Sequence, residues 1–285
     1  MTSLSHCCKL FGISRQAYYQ KLKRDQVQVK DLEQVKDLVI NQRICMPRLG
    51  TRKLYYLLSN EFKQRKLKVG RDKLFMFLRS EQMLIKPRKN YTRTTMSKHW
   101  LRKHPNLVKG QHFEHAEQLW VSDITYLKTQ AGNSYLSLVT DAISRKIMGY
   151  HLSEDLKTDG VLRALKMAIK QRKYNHELIH HSDRGMQYCS QEYQEELSKN
   201  NIITSMTDGY DCYQNALAER INGILKDEFL IHNYRDLNQA RKVVEQSVYI
   251  YNNKRPHLSL NYKTPNYIHE KSPVELTTED YINYY

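Results

Sequence analysis

Between Leu119 and about Asn252 the spacing of apolar residues changes period several times, and the changes predict alternating strands and helices. Leu119 to Leu127 is rich in β-formers. Gly132-Asn133 predicts a turn before a second strand, Tyr135 to Thr140. Asp141 to Ser144 turns again before a third, Lys146 to His151. Strands joined so closely form an antiparallel meander. Lys157 to Arg172 then takes helical spacing, with Val161, Leu165, Ala168 and Ile169 on one side. Leu178 to His181 reads as a fourth strand, a helix capped by Ser190 runs through Leu197, and Ile202 to Ser205 reads as a fifth strand. Two helices follow. One lies within Tyr213–Phe229, and the other runs from Asp236 to about Asn252.

The first part of the chain is patterned differently. Leu4, Cys7, Cys8, Leu10 and Phe11 suit a short helix that stops at Gly12. Ser14 is a good N-cap for a second short helix carrying Ala17, Tyr18 and Leu22. A separate polar helix is predicted over 29–43, with Leu32, Val35, Leu38 and Val39 at helical spacing. Gly50-Thr51 precedes Leu54, Leu57 and Leu58, and after the connector KQRKLKVG come Leu74, Phe75, Phe77 and Leu78. Each pair of helices around a glycine resembles a helix-turn-helix. Residues 86–111 show no sustained period and read as an extended, basic linker.

Charge sharpens that division. The chain has 285 residues and a formal net charge of +16. Residues 1–110 hold 26 Lys/Arg against 7 Asp/Glu, whereas residues 111–285 hold 20 against 23. A basic part joined to a near-neutral part suggests a polyanion-binding region attached to something else. Arg52, Lys53, Arg71 and Lys73 are the candidate DNA contacts, since a merely solvated face would mix signs. No run of ~18 apolar residues spans a membrane. The opening residues lack the charged start, apolar run and cleavage site of a signal peptide. Five cysteines without a CxxC pair, and histidines without HExxH, argue against a disulfide framework or a zinc site and fit a reducing cytoplasm.

Candidate chemistry centres on YQNALAERINGILKDEF. At ~100° per residue, Leu217, Ile221, Ile224 and Leu225 form an apolar side. Asn215, Glu219, Asn222 and Lys226 fall opposite, which an ordinary surface helix would also show. Two other stretches, LWVSDITYL and LIHHSDRG, place Asp123 within the first strand and Asp183 just past the fourth. The order of elements resembles a ribonuclease H-like core, an α/β fold with a mixed five-stranded sheet, here preceded by a small all-α helix-turn-helix-like region. In that layout the first and fourth strands are neighbours, and the helix after the fifth can lay Glu219 beside both aspartates. Three carboxylates without histidine or cysteine suit Mg²⁺.

WVSDITYL, LVTDAISRKIMGY, HHSDRGMQYCS, SMTDGYDCYQNALAERINGILKDEF and YNNKRPHLSLNYKTP resemble, in order and spacing, the retroviral-integrase-like (DDE) core of bacterial insertion-sequence transposases of the OrfB type. The likeness covers roughly residues 45–270, with Gln214 standing where many members have Asp. It implies that Asp123, Asp183 and Glu219 are the catalytic acids and metal ligands, holding two Mg²⁺ ions (or Mn²⁺), with Asp123 between them by analogy. It implies DNA contact by Lys226 near the active site, against the alternative of a surface lysine. Asn215 is a further candidate contact, or simply a helix cap. For His180 and His181, strand packing is the expected role of at least one. For Asp141 a turn contact or a local ion pair with Arg145 is expected, and for Tyr251, Asn252, Arg255, Pro256 and His257 packing.

The resulting expectation is a helical, basic DNA-binding region over 1–85, a linker over 86–111, a catalytic core over 112–270 and a tail over 271–285 with no assigned role. The implied partners are double-stranded DNA (terminal inverted repeats and target), further copies of the chain, and an upstream-frame helix-turn-helix protein as fusion or partner. The implied location is the bacterial cytoplasm, at the nucleoid. The competing readings are a catalytically silent DNA-binding regulator, which the intact acidic set opposes, and a nuclease that cuts without joining.

Overall fold

Five strands form one mixed sheet in the order β3-β2-β1-β4-β5 in the computed structural model, which describes residues 3–86, 101–208 and 215–271. Residues 87–100 of the basic linker, Cys212, Gln214 and the tail beyond Lys271 lie outside those described. The chain divides into two compact units, Met1–Lys86 and Pro87–Tyr285.

The first unit is helical: α1 (Leu4–Leu10), α2 (Arg15–Cys45), α3 (Thr51–Gln64) and α4 (Arg71–Ser80). Gly12 takes φ +64°, a left-handed conformation that ends α1 at little cost for glycine. Ser14 Oγ then accepts the Ala17 amide at 3.0 Å and starts α2. The sequence predicted two helices between residues 14 and 43; the structure has one, of 31 residues. The stretch RDQVQVK holds no glycine, proline or capping turn, so a break in apolar spacing leaves an exposed length of helix rather than an interruption. Val35, Leu38 and Val39 of α2 are buried, as are Leu54, Leu58 and Phe62 of α3 and Leu74, Phe77 and Leu78 of α4. Arg52 and Arg71 stand exposed, and Lys53 and Lys73 half-buried.

In the second unit β1 (Leu119–Thr129), β2 (Gly132–Asp141) and β3 (Ile147–Ser153) make the meander, and α5 (Thr158–Gln171) follows. β4 (Leu178–Ser182), α6 (Gln191–Lys199), β5 (Ile202–Met206) and α7 (Ala216–Ile224) come next. α7 runs into a π-helical turn, Leu225–Phe229, before α8 (Leu237–Asn253) and α9 (Pro265–Glu270). β4 pairs parallel with both β1 and β5, placing β1 at the sheet centre.

Side chains alternate across β1. Trp120 packs with Val139, Met148, Leu165, Ala168, Tyr193 and Leu197 in the core under α5 and α6. Leu119 and Val121 face the other way, toward Ala218 of α7. Asp123, two residues beyond Val121, lies on that same α7 side. Gly149 of β3 permits the close approach of α5, since a Cβ there would meet the Ala164 carbonyl oxygen at 2.0 Å. Residues 101–111, read from sequence as linker, lie along the outer edge of β5. The Met206 amide donates to the Pro105 oxygen at 3.2 Å, and Ser205 Oγ accepts the Leu107 amide at 2.9 Å. The segment thereby covers an edge strand that would otherwise offer unpaired backbone groups.

Candidate active site

Register places the two aspartates. Ser122 of β1 pairs with Ser182 of β4, and Asp123 and Asp183 each follow by one residue. Adjacent strands lie ~4.8 Å apart, so the two carboxylates project from neighbouring points. Asp183 leaves the strand into a tight turn, where the Gly185 amide donates to its Oδ1 at 3.0 Å. A side chain at Gly185 would itself meet that oxygen at 3.0 Å. Asp123 is held from both sides: Oδ1 accepts the Ile124 amide at 2.9 Å, and Oδ2 accepts Asn222 Nδ2 at 2.7 Å.

The third acid comes from α7. Glu219 stands on its exposed rim, yet it is electrostatically linked to both aspartates. Burial and the Asp183 charge push the Asp123 carboxyl up to about 7, with a smaller push from Glu219 and against the pull of its two amide donors. Burial and then Asp183 also raise Glu219. Like charges brought together resist ionisation, so this is the signature of carboxylates sharing one site. Among the described residues no three His, Cys, Asp or Glu side chains form a closed metal cluster. An open, all-carboxylate set fits Mg²⁺, which keeps several waters and takes phosphate oxygens from its substrate.

Two residues on the polar side of α7 are turned inward, while Glu219 stays at the exposed rim. Asn215 and Asn222 are 5% and 4% exposed, and both reach β1. Asn215 stands at the N-cap position but makes no side-chain cap; its Nδ2 donates instead to the Ser122 oxygen at 3.0 Å. Its burial and that bond make it a tie between α7 and β1 rather than a surface for DNA. Lys226 lies in the π-helical turn, half-buried; burial lowers its affinity for a proton, while Asp227 and Asp123 raise it. Lys226 thus feels the Asp123 charge. Insertions of this kind are frequent at functional sites.

The remaining candidates are structural. His180 is fully buried, hydrogen-bonded to Ser122 Oγ at 2.7 Å and Tyr193 Oη at 2.9 Å, and burial lowers it to about 3. It stays neutral on the α6 side of the sheet. His181 meets Ser205 Oγ at 2.9 Å. Asp141 is a turn contact: it accepts the Ser144 amide and hydroxyl, both at 2.7 Å, and the Glu117 amide at 2.6 Å. Asn252 spans the Ile147 amide and oxygen at 3.0 Å each, fastening α8 to β3. The sequence reading placed Asn222 on the face of Glu219 without giving it a role. Its spacing of three residues from Glu219, one helical turn, was the available signal.

Residues 114–212 match the integrase core domain family, and residues 200–265 match a second integrase core domain family. The Shigella sonnei "insertion element IS600 uncharacterized 31 kDa protein" is 32% identical over 269 residues, covering 93% of this chain and 97% of that one. Transposase InsF for insertion sequence IS3fB of Escherichia coli K12 is 28% identical over 260 residues, 87% of this chain and 86% of its own. Among solved structures, a chain of the simian T-cell lymphotropic virus intasome in complex with the PP2A regulatory subunit B56 gamma superposes with a TM-score of 0.50. It is 17% identical, over 79% of this chain and 72% of that one, and shows a shared fold. The chain belongs to the bacterial insertion-sequence transposases with an integrase-type core. It is a DDE transposase, a polynucleotidyl transferase acting on DNA.

Proposed function

We propose that Asp123, Asp183 and Glu219 are the catalytic acids of this transposase and hold two Mg²⁺ ions, for which Mn²⁺ can substitute. The observation that carries the assignment is geometric: the Ser122–Ser182 pairing sets Asp123 and Asp183 at the same level of neighbouring strands, and α7, which carries Glu219, packs on that side of β1 and bonds Asp123 through Asn222. Such a set is relieved when a divalent cation supplies positive charge. When bound, the ions activate the attacking oxygen and stabilise the leaving oxygen of an in-line phosphodiester displacement. The chain's own part is to hold the carboxylates ready. The β1–β4 register sets the two aspartates side by side, and α7 brings Glu219 to the rim.

Two reactions follow from one site. Water attacks the phosphodiester at the element's 3′ end; its oxygen joins phosphorus as the bond from phosphorus to the element's terminal 3′ oxygen breaks, so the phosphate stays on the 5′ end of the flanking DNA and the element keeps a 3′-OH. The freed 3′-OH then attacks a target phosphodiester, forming a new P–O bond and releasing the target's own 3′-OH. No bond to the protein is needed in either step. Lys226, beside this site, contacts the phosphates of the element's end. Arg52, Lys53, Arg71 and Lys73 of α3 and α4 contact duplex phosphates. The substrates are the terminal inverted repeats and target DNA of the bacterial nucleoid, in the cytoplasm. The acting form is a homo-oligomer on DNA, with an upstream-frame helix-turn-helix protein as fusion or partner.

The metal requirement tests the proposal directly. Cleavage and joining occur with Mg²⁺ or Mn²⁺, stop in chelator, and fail with Ca²⁺, whose looser coordination supports binding better than displacement. Cleavage that persists in excess chelator overturns it.

A further inference from the structure

One carboxylate in the site is fixed at both oxygens. Asp123 Oδ1 accepts the amide of the next residue, Ile124, at 2.9 Å, a contact that any residue but proline at position 124 would leave intact. Oδ2 accepts Asn222 Nδ2 at 2.7 Å, and that contact depends on one side chain, 99 residues along the chain. With both bonds in place the carboxylate has no free rotation, and each oxygen keeps a lone pair for something else. Asn222 is 4% exposed, so it is not a surface group that happens to reach inward. Asn215, one residue before α7, makes the parallel contact to the backbone oxygen of Ser122 at 3.0 Å. The two amides straddle Glu219 and fasten its helix to the strand that carries Asp123.

The choice of an amide has a physical consequence. A Lys or Arg at this place would orient the carboxylate equally well but would neutralise it, competing with a bound cation. A neutral donor orients without neutralising. It leaves the charge of Asp123 for a divalent ion, while the crowding by Asp183 and Glu219 is left for that ion to relieve.

We propose that Asn222 is a positioning residue that locks the Asp123 carboxylate in its divalent-cation-binding orientation. This rests on the assignment of Asp123 as a metal ligand. Asn222 touches neither the DNA nor the scissile bond in this role; it acts through Asp123. Its loss therefore weakens cation binding more than it weakens the fold. It raises the metal concentration needed for activity more than it lowers the rate at saturation.

The test uses the full chain with Asn222→Leu, close in shape but without a donor, and Asn222→Ala, alongside Asp123→Asn. Mn²⁺ is titrated against each metal-free protein by electron paramagnetic resonance, without DNA. Thermal unfolding is followed in chelator, and strand transfer is measured across a Mn²⁺ series. The expected result for both Asn222 variants is a Mn²⁺ half-saturation raised by about 10-fold or more. Their metal-free melting should stay within about 3 °C of wild type, and a large part of the lost rate should return at high Mn²⁺. Wild-type Mn²⁺ affinity in either folded variant overturns the inference. So does failure of both to fold, which would make Asn222 a structural residue. Asp123→Asn separates the two levels. If it retains full strand transfer, the metal-ligand assignment itself is wrong. If it is inactive while the Asn222 variants bind Mn²⁺ like wild type, only the role of Asn222 is lost.

Discussion

Arg255 grips Glu228 with two nitrogens, Nε at 2.8 Å and Nη2 at 2.6 Å from its carboxylate oxygens. Arg255 is 2% exposed, and His257 Nε2 lies 3.0 Å from its remaining terminal nitrogen. Glu228 belongs to the π-helical turn that also carries Lys226. The pair thus anchors the segment leading out of the active-site helix to the loop after α8. Arg255→Ala removes a buried side chain together with both of its bonds to the part-buried Glu228, and should destabilise the protein by about 3 kcal/mol. Arg255→Met with Glu228→Gln removes both charges and should recover much of that loss. Denaturant titration of the two variants checks this, and equal stability of Arg255→Ala and wild type would contradict it.

The raised proton affinity of Asp123 predicts a pH-dependent cost. In the folded chain the carboxyl titrates at about 7, above its ordinary 3.8. Between those values the folded state keeps a proton that the unfolded chain has released, so stability falls as pH rises. Above about 7 the whole cost is present. Asp123→Asn should therefore melt at least ~3 °C higher than wild type in chelator at pH 8, and no higher at pH 4. Added Mg²⁺ should close the gap at pH 8 by stabilising wild type alone. Equal melting points of the two metal-free proteins at pH 8 would exclude this reading.

Lys226 makes a separate prediction about DNA. If it neutralises a phosphate at the element's end, Lys226→Ala should weaken end binding. It should also flatten the dependence of log K on log salt by about one unit. Titrations by fluorescence anisotropy at several salt concentrations give the slope. An unchanged slope with normal activity would make Lys226 an ordinary helix lysine.

Most of the sheet was legible because its signals are local. The turn at 141–144 and the β-rich runs marked the meander, and the helical spacing of Val161, Leu165 and Ala168 marked α5; the first turn, expected at Gly132-Asn133, falls instead at Gln130-Ala131, and Gly132 and Asn133 pair with Thr129 and Lys128 inside the hairpin. Asp123 and Asp183 could be singled out because the resemblance to a ribonuclease H-like layout makes their strands neighbours, as the β1–β4 pairing does. What the sequence misjudged depends on partners. The period over 15–45 suggested two helices, since exposed turns carry no apolar stripe to mark their continuity. Residues 101–111 read as linker because a segment that covers a sheet edge bonds mainly through its backbone. Asn215 read as a DNA contact or a helix cap, and Asn222 was given no role. Only the presence of β1 opposite shows that both are buried and their amides engaged.

That edge-covering segment changes where the second unit can be cut. A fragment of residues 101–285 keeps the Pro105 and Leu107 contacts to β5, whereas 112–285 exposes the strand. The shorter fragment should melt lower and aggregate more readily. Both should bind terminal repeats more weakly than the full chain, because both lack residues 1–100, which hold 23 Lys/Arg against 7 Asp/Glu. Melting curves and gel-shift titrations at two salt concentrations check both statements. Equal melting of the fragments would deny the segment its part in the fold, and full-strength repeat binding by either would place recognition elsewhere.

Strand transfer from a precleaved element end, in Mg²⁺, asks the most of the three acids, because the 3′-OH is already supplied and only the joining step remains. Asp123→Asn, Asp183→Asn and Glu219→Gln each remove one negative charge with little change in volume. Each should bind the end as wild type does, and each should lower joining by at least about 10³-fold. If any one of them joins the end to target DNA at the wild-type rate, that residue is not one of the acids on which the reaction depends.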